Sequence, residues 1–346
     1  MTRGLVLGKF MPPHSGHLFL VNFAQRMVDE LSVVVGTLGA EPIPGALRYA
    51  WMRELAPAAQ VLHLRDENPQ DPGEHPDFWG IWRRSLTRIL PRSVDLVFAS
   101  EPYGERLAEE LGARFVPVDL GREALPTSGT AIREDPLGQW HHLPPCVRAF
   151  YAQRVSVFGP ESTGKSTLSA ALARRYGTVA VREYARTWLE HRQGECTIED
   201  MEIIARGQVA AEDALARAAN RLLFCDTDPL ATAIWSDALF GGVSASVREL
   251  GRGRDYALTF LLDVDVPYVD DPVRYLPQQR AEFFRRCAAE LDRAGRRIVV
   301  LRGAWDLRWK TACEAVDALL RGEGRAPPPS SPPPTFDRPP TPDAGR

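Results

Sequence analysis

The run Gly159-Pro-Glu-Ser-Thr-Gly-Lys-Ser166, near the middle of the chain, restricts the fold more than any other part of the sequence. Apolar residues 155–158 stand directly before it, and a helical pattern at residues 168–176 follows it. Strand, glycine loop and helix in this order are the context of a P-loop, whose backbone N–H groups surround phosphate oxygens. We therefore expect Lys165 to reach the β- and γ-phosphates of a nucleotide and the Ser166 hydroxyl to ligate Mg²⁺. The other phosphate contacts expected of this loop are Gly159, Glu161, Ser162, Thr163, Gly164 and Thr167.

Lysine is rare in this chain, which strengthens that interpretation. Lys9, Lys165 and Lys310 are the three lysines among 42 lysines and arginines, so a lysine inside a glycine loop is hard to attribute to chance. The chain has 346 residues, of which 44% are hydrophobic and 25% are charged. Because about 150 residues precede the loop, the sequence predicts two globular domains, with the P-loop in the second.

The composition argues against several classes of partner. A net charge of -3 gives no basic field for nucleic acid, and there is no apolar run of about 18 residues that would span a membrane. The five cysteines are odd in number and have no metal-ligand spacing, which indicates thiols in a reducing cytoplasm. We expect a soluble cytoplasmic protein without nucleic-acid or membrane partners, and the oligomeric state stays open between a monomer and a homo-oligomer.

A second candidate phosphate motif lies at the N-terminus. A short apolar strand at residues 5–7 leads into Gly8-Lys-Phe-Met-Pro-Pro-His-Ser-Gly-His17 and then into a helical pattern. Imidazole and backbone N–H donors at the start of a helix suit an anion, although such a histidine pair alone is more often a cap or a packed pair. Later, Thr127-Ser-Gly-Thr-Ala-Ile-Arg133 opens another helical pattern, which alone indicates a helix cap followed by a surface arginine.

Together these two stretches resemble the signature of the nucleotidyltransferase superfamily, GxFxPxHxGH followed by [ST]xxxxR. The resemblance implies a Rossmann-like domain that transfers an adenylyl group from ATP to a phosphate or carboxylate. It also implies that His14, His17, Lys9 and Arg133 stabilise the transferring phosphates. The further ATP contacts that it implies are Gly8, Phe10, Gly16, Ser128, Gly129 and Thr130.

Strand and helix patterns alternate between the two motifs, as in a doubly wound parallel sheet. Ligands of such sheets bind outside the carboxyl ends of the strands, where His14, His17, Gly36 and Ser100 fall. We expect strands at residues 31–35, 61–64, 94–98 and 113–118, and helices at residues 18–31, 46–55, 77–90 and 104–111.

A pair of tryptophans, Trp79 and Trp82, follows a polar, proline-rich segment in this first half. Such a pair at helical spacing is more often core packing than a ligand platform. A flat aromatic side chain near the strand ends is nevertheless what a nicotinamide ring would stack on, so both tryptophans are candidate nicotinamide contacts.

The stretches at residues 8–17, 100–104, 128–133 and 159–166 together resemble the bifunctional nicotinamide-nucleotide adenylyltransferase/ribosylnicotinamide kinase family of the NadR type. The resemblance implies an α/β chain with two parallel sheets: a Rossmann-like nucleotidyltransferase domain, then a P-loop kinase domain. The domain bounds are 1–146 and 154–322, with a linker at 147–153 and a disordered proline-rich tail at 323–346. Some members carry an N-terminal helix-turn-helix that represses transcription; here the first strand starts at residue 4, so we expect no such role.

Two expected strand ends in the second half carry carboxylates. Glu183 follows a strand at residues 178–181, and the similar position of an acidic residue in deoxynucleoside kinases favours a general base over a surface ion pair. Asp226 follows a strand at residues 221–225, in the Walker B position that holds Mg²⁺ or its water. Asp228 is expected either to contact the ribose or to cap the next helix.

The segment Tyr268-Val-Asp-Asp-Pro-Val-Arg274 resembles the family's W-V-D-D-G-x-R segment, with tyrosine for the usual tryptophan and proline for the usual glycine. The resemblance implies that Tyr268 stacks on a pyridinium ring, that Asp270 and Asp271 contact the nucleoside, and that Arg274 contacts phosphate. The remaining expected elements are strands at residues 257–262 and 297–301 and helices at residues 278–293 and 306–321.

The function that the resemblance implies is a two-step synthesis of NAD, with ATP as co-substrate and Mg²⁺ as cofactor. The kinase half phosphorylates nicotinamide riboside to nicotinamide mononucleotide (NMN), and the N-terminal half adenylylates NMN to NAD with release of pyrophosphate. Two alternatives stay open: a pantetheine-phosphate adenylyltransferase/dephospho-coenzyme A kinase fusion, and a protein that senses nucleotides without turnover.

Overall fold

A computed structural model describes residues 1–269 and 277–322 of the chain, and the contacts between residues divide them into two units that meet between Val147 and Arg148. A short helix, α6 (Pro145–Tyr151), crosses this division, and the first strand of the second unit starts at Gln153. The expected linker is therefore largely helical. The expected tail at residues 323–346 lies outside the described residues.

The first unit is a five-stranded parallel sheet in the order β3-β2-β1-β4-β5. Helices cover both faces of this sheet. Successive residues of the central strand point to opposite faces. Val6 packs on one face and Leu5 on the other, and both are fully buried. The strands are β1 (Arg3–Gly8), β2 (Glu30–Gly36), β3 (Gln60–Leu64), β4 (Leu96–Ala99) and β5 (Arg114–Pro117), and the helices are α1 (Ser15–Met27), α2 (Gly45–Leu55), α3 (Phe78–Ile89), α4 (Tyr103–Leu111) and α5 (Gly129–Glu134).

The second unit is another five-stranded parallel sheet, in the order β10-β9-β6-β8-β7. Val155 and Val157 pack on one face, while Phe158 and Leu261 pack on the other. The strands are β6 (Gln153–Phe158), β7 (Val179–Val181), β8 (Leu222–Asp226), β9 (Leu258–Leu262) and β10 (Ile298–Leu301), and the helices are α7 (Lys165–Arg175), α8 (Tyr184–His191), α9 (Asp200–Ala216), α10 (Pro229–Phe240), α11 (Ala245–Arg252), α12 (Arg280–Arg293) and α13 (Trp305–Leu320).

The expected fold class, two parallel α/β sheets, is confirmed, and every strand that the sequence predicts is present. The helix expected at residues 18–31 is too long, because the chain is already extended at Val28 and β2 begins at Glu30. Helices α8, α9 and α11 were not expected. Helix α9 carries buried Gln208 and Glu212 on its inner face, and these polar side chains interrupt the apolar periodicity that marks a helix.

Two findings bear on the environment of the chain. No helix in the described ranges combines the length and the apolar character needed to cross a bilayer. All five cysteines are free thiols, and four of them are buried.

Gly207, in the middle of α9, tests how closely this helix packs. Alanine normally stabilises a helix interior by about 1 kcal/mol over glycine, but a Cβ at this position would lie 2.1 Å from the Tyr184 ring. We therefore expect Gly207→Ala to lower the free energy of unfolding by about 1–3 kcal/mol through overpacking. Urea denaturation of the full chain measures this.

Gly242→Ala is the matched control, because an added Cβ there meets no atom within 4 Å. It should leave stability unchanged to within about 0.5 kcal/mol. A more stable Gly207→Ala variant would contradict the close packing of α9 on Tyr184.

Candidate active sites

The first candidate site begins where the central strand β1 ends. After Gly8 and Lys9 the chain turns through Phe10, whose φ of 47° is left-handed and whose side chain is buried. A Cβ at Gly8 would lie 3.2 Å from the Phe10 ring, so a glycine lets this ring pack under the turn. Phe10 can therefore contact a phosphate only through its backbone.

The two histidines of the first motif lie side by side at the start of α1. Their ring centroids are 3.8 Å apart, and His14 is the residue that precedes the helix. A Cβ at Gly16 would lie 3.1 Å from two atoms of the His14 ring, so a side chain here would require this ring to shift by a few tenths of an ångström. The Nδ1 atoms of His14 and His17 are buried and have no hydrogen-bond partner among the described residues. Buried, unpaired polar atoms of this kind indicate a ligand that completes them.

Burial keeps both imidazoles neutral near pH 7. It lowers the pKa of His14 to about 4, with the positive charge of Arg122 and the neighbouring His142 acting in the same direction. Burial also lowers the pKa of His17 well below its usual value, with His14 and Arg122 adding to the effect. The expected pair is therefore assembled as two neutral rings that face an arginine.

A buried arginine fixes the backbone of this loop. Arg48 is fully buried on α2, and its guanidinium donates to the Lys9 carbonyl at 2.5 Å and to the Ile43 carbonyl at 3.0 Å. Its charge is paired with Glu41, which also lies 3.4 Å from the Lys9 ammonium. Lys9 thus lies at the site, as expected from the sequence, between a carboxylate and the open cleft.

The second motif lies against the first, as its resemblance to the superfamily signature implies. The Arg133 guanidinium donates to the Met11 carbonyl at 2.5 Å and to the Thr130 hydroxyl at 3.1 Å. Ser128 caps α5 by accepting the Ala131 N–H at 3.1 Å. A Cβ at Gly129 would lie 2.7 Å from the Met11 carbonyl, so the glycine permits this close contact. Two motifs more than a hundred residues apart in the chain therefore form one surface.

Both motifs line a cleft of about 660 Å³ at the carboxyl ends of β1, β2 and β4. Trp79 and Trp82 form part of its wall, and the Trp82 indole donates to the Pro69 carbonyl at 2.9 Å. Both rings also pack against the core of the sheet. The two interpretations of this pair, core packing and ligand platform, are thus both compatible with its position.

The second candidate site is the glycine loop after the central strand β6. Gly159, Ser162 and Gly164 have positive φ values of 136°, 58° and 92°. A Cβ at Gly159 would lie 2.8 Å from the Leu262 carbonyl, so this position excludes a side chain. The Lys165 ammonium donates to the Pro160 carbonyl at 3.0 Å. The cleft beside the loop is lined by Glu161, Ser162, Thr163, Gly164, Lys165, Ser166 and Thr167.

Two arginines hold this loop from its outer side. Arg308 on α13 is buried, donates to the Thr163 carbonyl at 3.0 Å and the Asp263 carbonyl at 3.1 Å, and pairs with Asp265. Arg280 donates to the Glu161 and Ser162 carbonyls, each at 3.2 Å. The carbonyls that the loop turns away from its phosphate side are thereby satisfied.

The residues expected to hold Mg²⁺ fit a hard cation. Asp226 is buried at the end of β8 and receives a hydrogen bond from Ser166. Burial raises the pKa of this carboxyl, against the opposing charge of Lys165. Its Oδ1 atom has no hydrogen-bond partner among the described residues. Because carboxylate and hydroxyl oxygens are the ligands that Mg²⁺ prefers, this pair is suited to it.

Glu183 lines the same cleft as Lys165 and precedes the first residue of α8. A carboxylate in the same cleft as a phosphate loop is compatible with a general base for the acceptor hydroxyl of a phosphoryl transfer. Apolar side chains form part of the cleft wall. These apolar side chains are Leu189, Met201, Ile204, Ala231, Trp235 and Leu239.

The remaining expected contacts are Asp228, Tyr268 and the residues that follow it. Asp228 is 1% exposed and caps α10, with its Oδ1 accepting the Leu230 N–H at 2.8 Å, which is one of its two expected roles. Tyr268 does not line the cleft beside the P-loop; the Arg280 guanidinium lies 5.7 Å from its ring centroid. Asp270, Asp271 and Arg274 lie outside the described residues.

Sequence patterns did not indicate the supporting residues. Arg48 and Arg308 each stand in a helical pattern where an arginine normally faces solvent, and only the tertiary structure shows them buried. Arg122, which faces both histidines, lies in an irregular loop after β5. In an arginine-rich chain, sequence alone offers no signal that separates these three from surface residues.

Comparison with known proteins found similar proteins for both units. A family model described as an AAA domain matches residues 154–308. The chain is 29% identical over 349 residues to the trifunctional NAD biosynthesis/regulator protein NadR of Escherichia coli (strain K12), which covers 94% of this chain and 84% of that protein. It is 30% identical over 150 residues to the nicotinamide-nucleotide adenylyltransferase of Methanoculleus marisnigri, which covers 42% of this chain and 88% of that protein.

Solved structures share the fold. The crystal structure of NadR protein in complex with NR gives a TM-score of 0.76 at 23% identity and covers 91% of this chain and 95% of that chain. NadR protein in complex with NAD and AMP-PNP gives a TM-score of 0.75 at 22% identity, with coverage of 94% and 97%. With the sequence similarity above, these findings show that the chain belongs to the nicotinamide-nucleotide adenylyltransferase family, in the two-domain form of the NadR proteins, which joins that domain to a P-loop kinase domain.

Proposed function

We propose that the second unit phosphorylates nicotinamide riboside to NMN with ATP, and that the first unit adenylylates NMN with a second ATP to give NAD and pyrophosphate. The observation that carries this proposal is the presence, in one chain, of two phosphate loops that each follow the central strand of a parallel sheet. The similarity of the first unit to nicotinamide-nucleotide adenylyltransferases supports the adenylyl transfer, and the similarity to NadR supports a role in NAD biosynthesis. The five free thiols support a reducing cytoplasm as its location.

In the kinase reaction, the 5′-hydroxyl of the riboside attacks the γ-phosphate of ATP. Glu183 accepts the hydroxyl proton, while Lys165 and the loop N–H groups stabilise the charge on the transferring phosphoryl group. The apolar wall of the cleft, which includes Trp235, excludes water from the acceptor side and so disfavours hydrolysis of ATP.

Mg²⁺ would be held by Asp226 and Ser166 on the protein side. When bound, it neutralises negative charge on the β- and γ-phosphate oxygens. The unpaired Asp226 Oδ1 and the Ser166 hydroxyl beside it support this assignment.

In the adenylyl transfer, a phosphate oxygen of NMN attacks the α-phosphate of ATP and pyrophosphate leaves. The reaction needs no protein nucleophile, so the first unit has to position the two phosphates and stabilise their charge. His14 and His17, as neutral rings, donate N–H hydrogen bonds, and Lys9 and Arg133 supply positive charge. Trp79 and Trp82 offer a flat wall for the nicotinamide ring.

Product analysis separates the two reactions. Wild type, Lys165→Ala and His17→Ala are each mixed with nicotinamide riboside, ATP and Mg²⁺, and the products are resolved by chromatography. We expect NAD from wild type, accumulation of NMN with His17→Ala, and no product with Lys165→Ala, because each loss removes phosphate stabilisation at one site. Lys165→Ala should still convert added NMN to NAD.

Other outcomes would replace the proposal. A wild type that makes NAD from NMN but leaves the riboside untouched would show that the kinase acceptor is a different nucleoside. Turnover of pantetheine phosphate in place of NMN would favour the coenzyme A fusion. No ADP and no pyrophosphate with any of these substrates would favour a nucleotide sensor.

The low pKa of His14 predicts a pH dependence of stability. Its pKa is about 4 in the folded chain against 6.5 unfolded, so between these values the unfolded chain binds the extra proton. The free energy of unfolding should therefore fall as the pH drops from 6.5 to 4. In His14→Gln this fall should be smaller by up to about 3 kcal/mol.

Urea denaturation between pH 7 and about pH 4.5 measures the difference. His75→Gln, which changes an exposed histidine, is the control and should follow wild type. An identical pH dependence in wild type and His14→Gln would contradict the neutral, buried state of His14.

Substitution of the two buried arginines, Arg48 and Arg308, should impair one reaction each: adenylyl transfer for Arg48 and phosphorylation of the riboside for Arg308. Arg48→Met leaves the Lys9 and Ile43 carbonyls without their donor, and Arg308→Met does the same to Thr163 and Asp263. We expect each to lower the rate at its own site by about tenfold or more, since small displacements of a phosphate loop are costly to catalysis. Separate assays of NMN adenylylation and riboside phosphorylation measure this.

Each variant serves as the control for the other, because each removes one buried guanidinium that donates a hydrogen bond to a loop. Arg48→Met should keep kinase activity and Arg308→Met should keep adenylyltransferase activity. If either variant loses both activities equally, the arginine supports the whole fold and not one loop.

A further inference from the structure

Helix α9 presents two buried polar side chains to the interior of the second unit, one turn apart. Gln208 is 2% exposed and Glu212 is fully buried. Glu212 is anchored because it accepts the Tyr256 hydroxyl at 2.8 Å and the Arg254 Nε at 3.2 Å. This end of the helix is therefore fixed by its own contacts, and Gln208 requires a separate explanation.

Both ends of the Gln208 amide are used. Its Oε1 atom accepts the Tyr184 N–H at 2.9 Å, and its Nε2 atom donates to the Thr227 carbonyl at 3.4 Å. Tyr184 directly follows Glu183, and Thr227 directly follows Asp226. One side chain thus contacts the backbone next to the expected general base and next to the expected Mg²⁺ ligand.

The backbone at Thr227 has an unusual conformation where it accepts this hydrogen bond. Thr227 has a left-handed φ of 65°, which is rare for a β-branched residue and costs free energy. Its N–H donates to the Val157 carbonyl at 3.0 Å, which leaves its own carbonyl to the Gln208 amide. Gly207 next to it permits α9 to approach Tyr184 closely, since any Cβ there would overlap the tyrosine ring.

We infer that Gln208 is a positioning residue of the kinase site, which sets the spacing between Glu183 and Asp226 across the cleft. The inference rests on the proposed kinase function. It goes beyond that function by naming the residue that holds the two carboxylates at a fixed spacing. Strands β7 and β8 are neighbours, but the two carboxylates lie beyond their paired residues or at their very end. The hydrogen bonds between β7 and β8 therefore do not connect the two chain segments at the carboxylates, whereas the Gln208 side chain does.

A plain structural role has to be separated from this one. Tyr184 is the first residue of α8, and its N–H has no partner within that helix, so Gln208 also caps α8. Loss of a cap lowers stability, whereas loss of positioning lowers the rate of the chemical step. Both can be measured on the full-length chain, because urea denaturation reports stability, while kcat and KM for ATP of the kinase reaction report whether the folded second unit still binds ATP and turns it over.

The first test is Gln208→Met, which keeps side-chain length and removes both hydrogen bonds. We expect kcat for riboside phosphorylation to fall about 10- to 100-fold, with KM for ATP and the NMN adenylylation rate close to wild type. Gln279→Met, at an exposed glutamine that makes no capping hydrogen bond, is the matched control and should keep wild-type kcat. A wild-type kcat in Gln208→Met would overturn the inference.

The second test is Gln208→Glu, which keeps the acceptor for the Tyr184 N–H but places a carboxylate against the Thr227 carbonyl. It decides the matter if Gln208→Met also lowers the free energy of unfolding of the second unit. A fall in kcat with wild-type KM for ATP and wild-type urea denaturation supports positioning; wild-type kcat, or a fall in kcat that only accompanies unfolding, overturns it. If wild type itself does not phosphorylate the riboside, the proposed kinase function fails, which is a distinct result from a silent Gln208 variant.

Discussion

Both phosphate loops depend on a buried guanidinium that bonds to their carbonyl groups. A loop whose N–H groups surround phosphate must turn carbonyls the other way, into the protein, where each needs a donor. Arg48 donates to the Lys9 carbonyl in the first loop, and Arg308 donates to the Thr163 carbonyl in the second; their other acceptors, Ile43 and Asp263, lie in the segments after β2 and β9. Each unit thus uses a fully or nearly fully buried arginine for the same constraint.

A buried arginine is stabilising only if its charge is paired, and the pairing links each loop to a second segment. Arg48 pairs with Glu41, in the segment after β2, and Arg308 pairs with Asp265, in the segment after β9. Burial lowers the pKa of the Arg48 guanidinium, and the Glu41 carboxylate opposes this. Because breaking such a pair leaves an uncompensated charge, loop and partner segment are held as one structure.

The sequence predicted the strands and the order of strand, loop and helix well because these are local. This order marks Gly159 to Ser166 as a candidate P-loop without any tertiary information. Gly8 to His17 has the same order, but its interpretation also needed the resemblance to the nucleotidyltransferase signature. The prediction from sequence failed for residues whose role depends on their burial in the tertiary structure. Arg48 and Arg308 are polar residues in helical patterns, where polar residues usually face water, and Gln208 lies in a helix that the sequence did not predict. For Asp228, the structure shows the capping contact that the sequence offered as one of two alternatives.

Neither proposed reaction uses a protein nucleophile. The residues that hold the loops in place are therefore expected to affect the reaction rate strongly. When catalysis consists of positioning and charge, displacement of a phosphate by about 1 Å costs as much as loss of a contacting group. In the proposed reactions, the groups that contact phosphate need a backbone that is held in place, and Arg48, Arg308 and Gln208 donate hydrogen bonds to that backbone. We therefore expect substitutions such as Gln208→Met to affect turnover although the side chain accepts no proton and binds no phosphate.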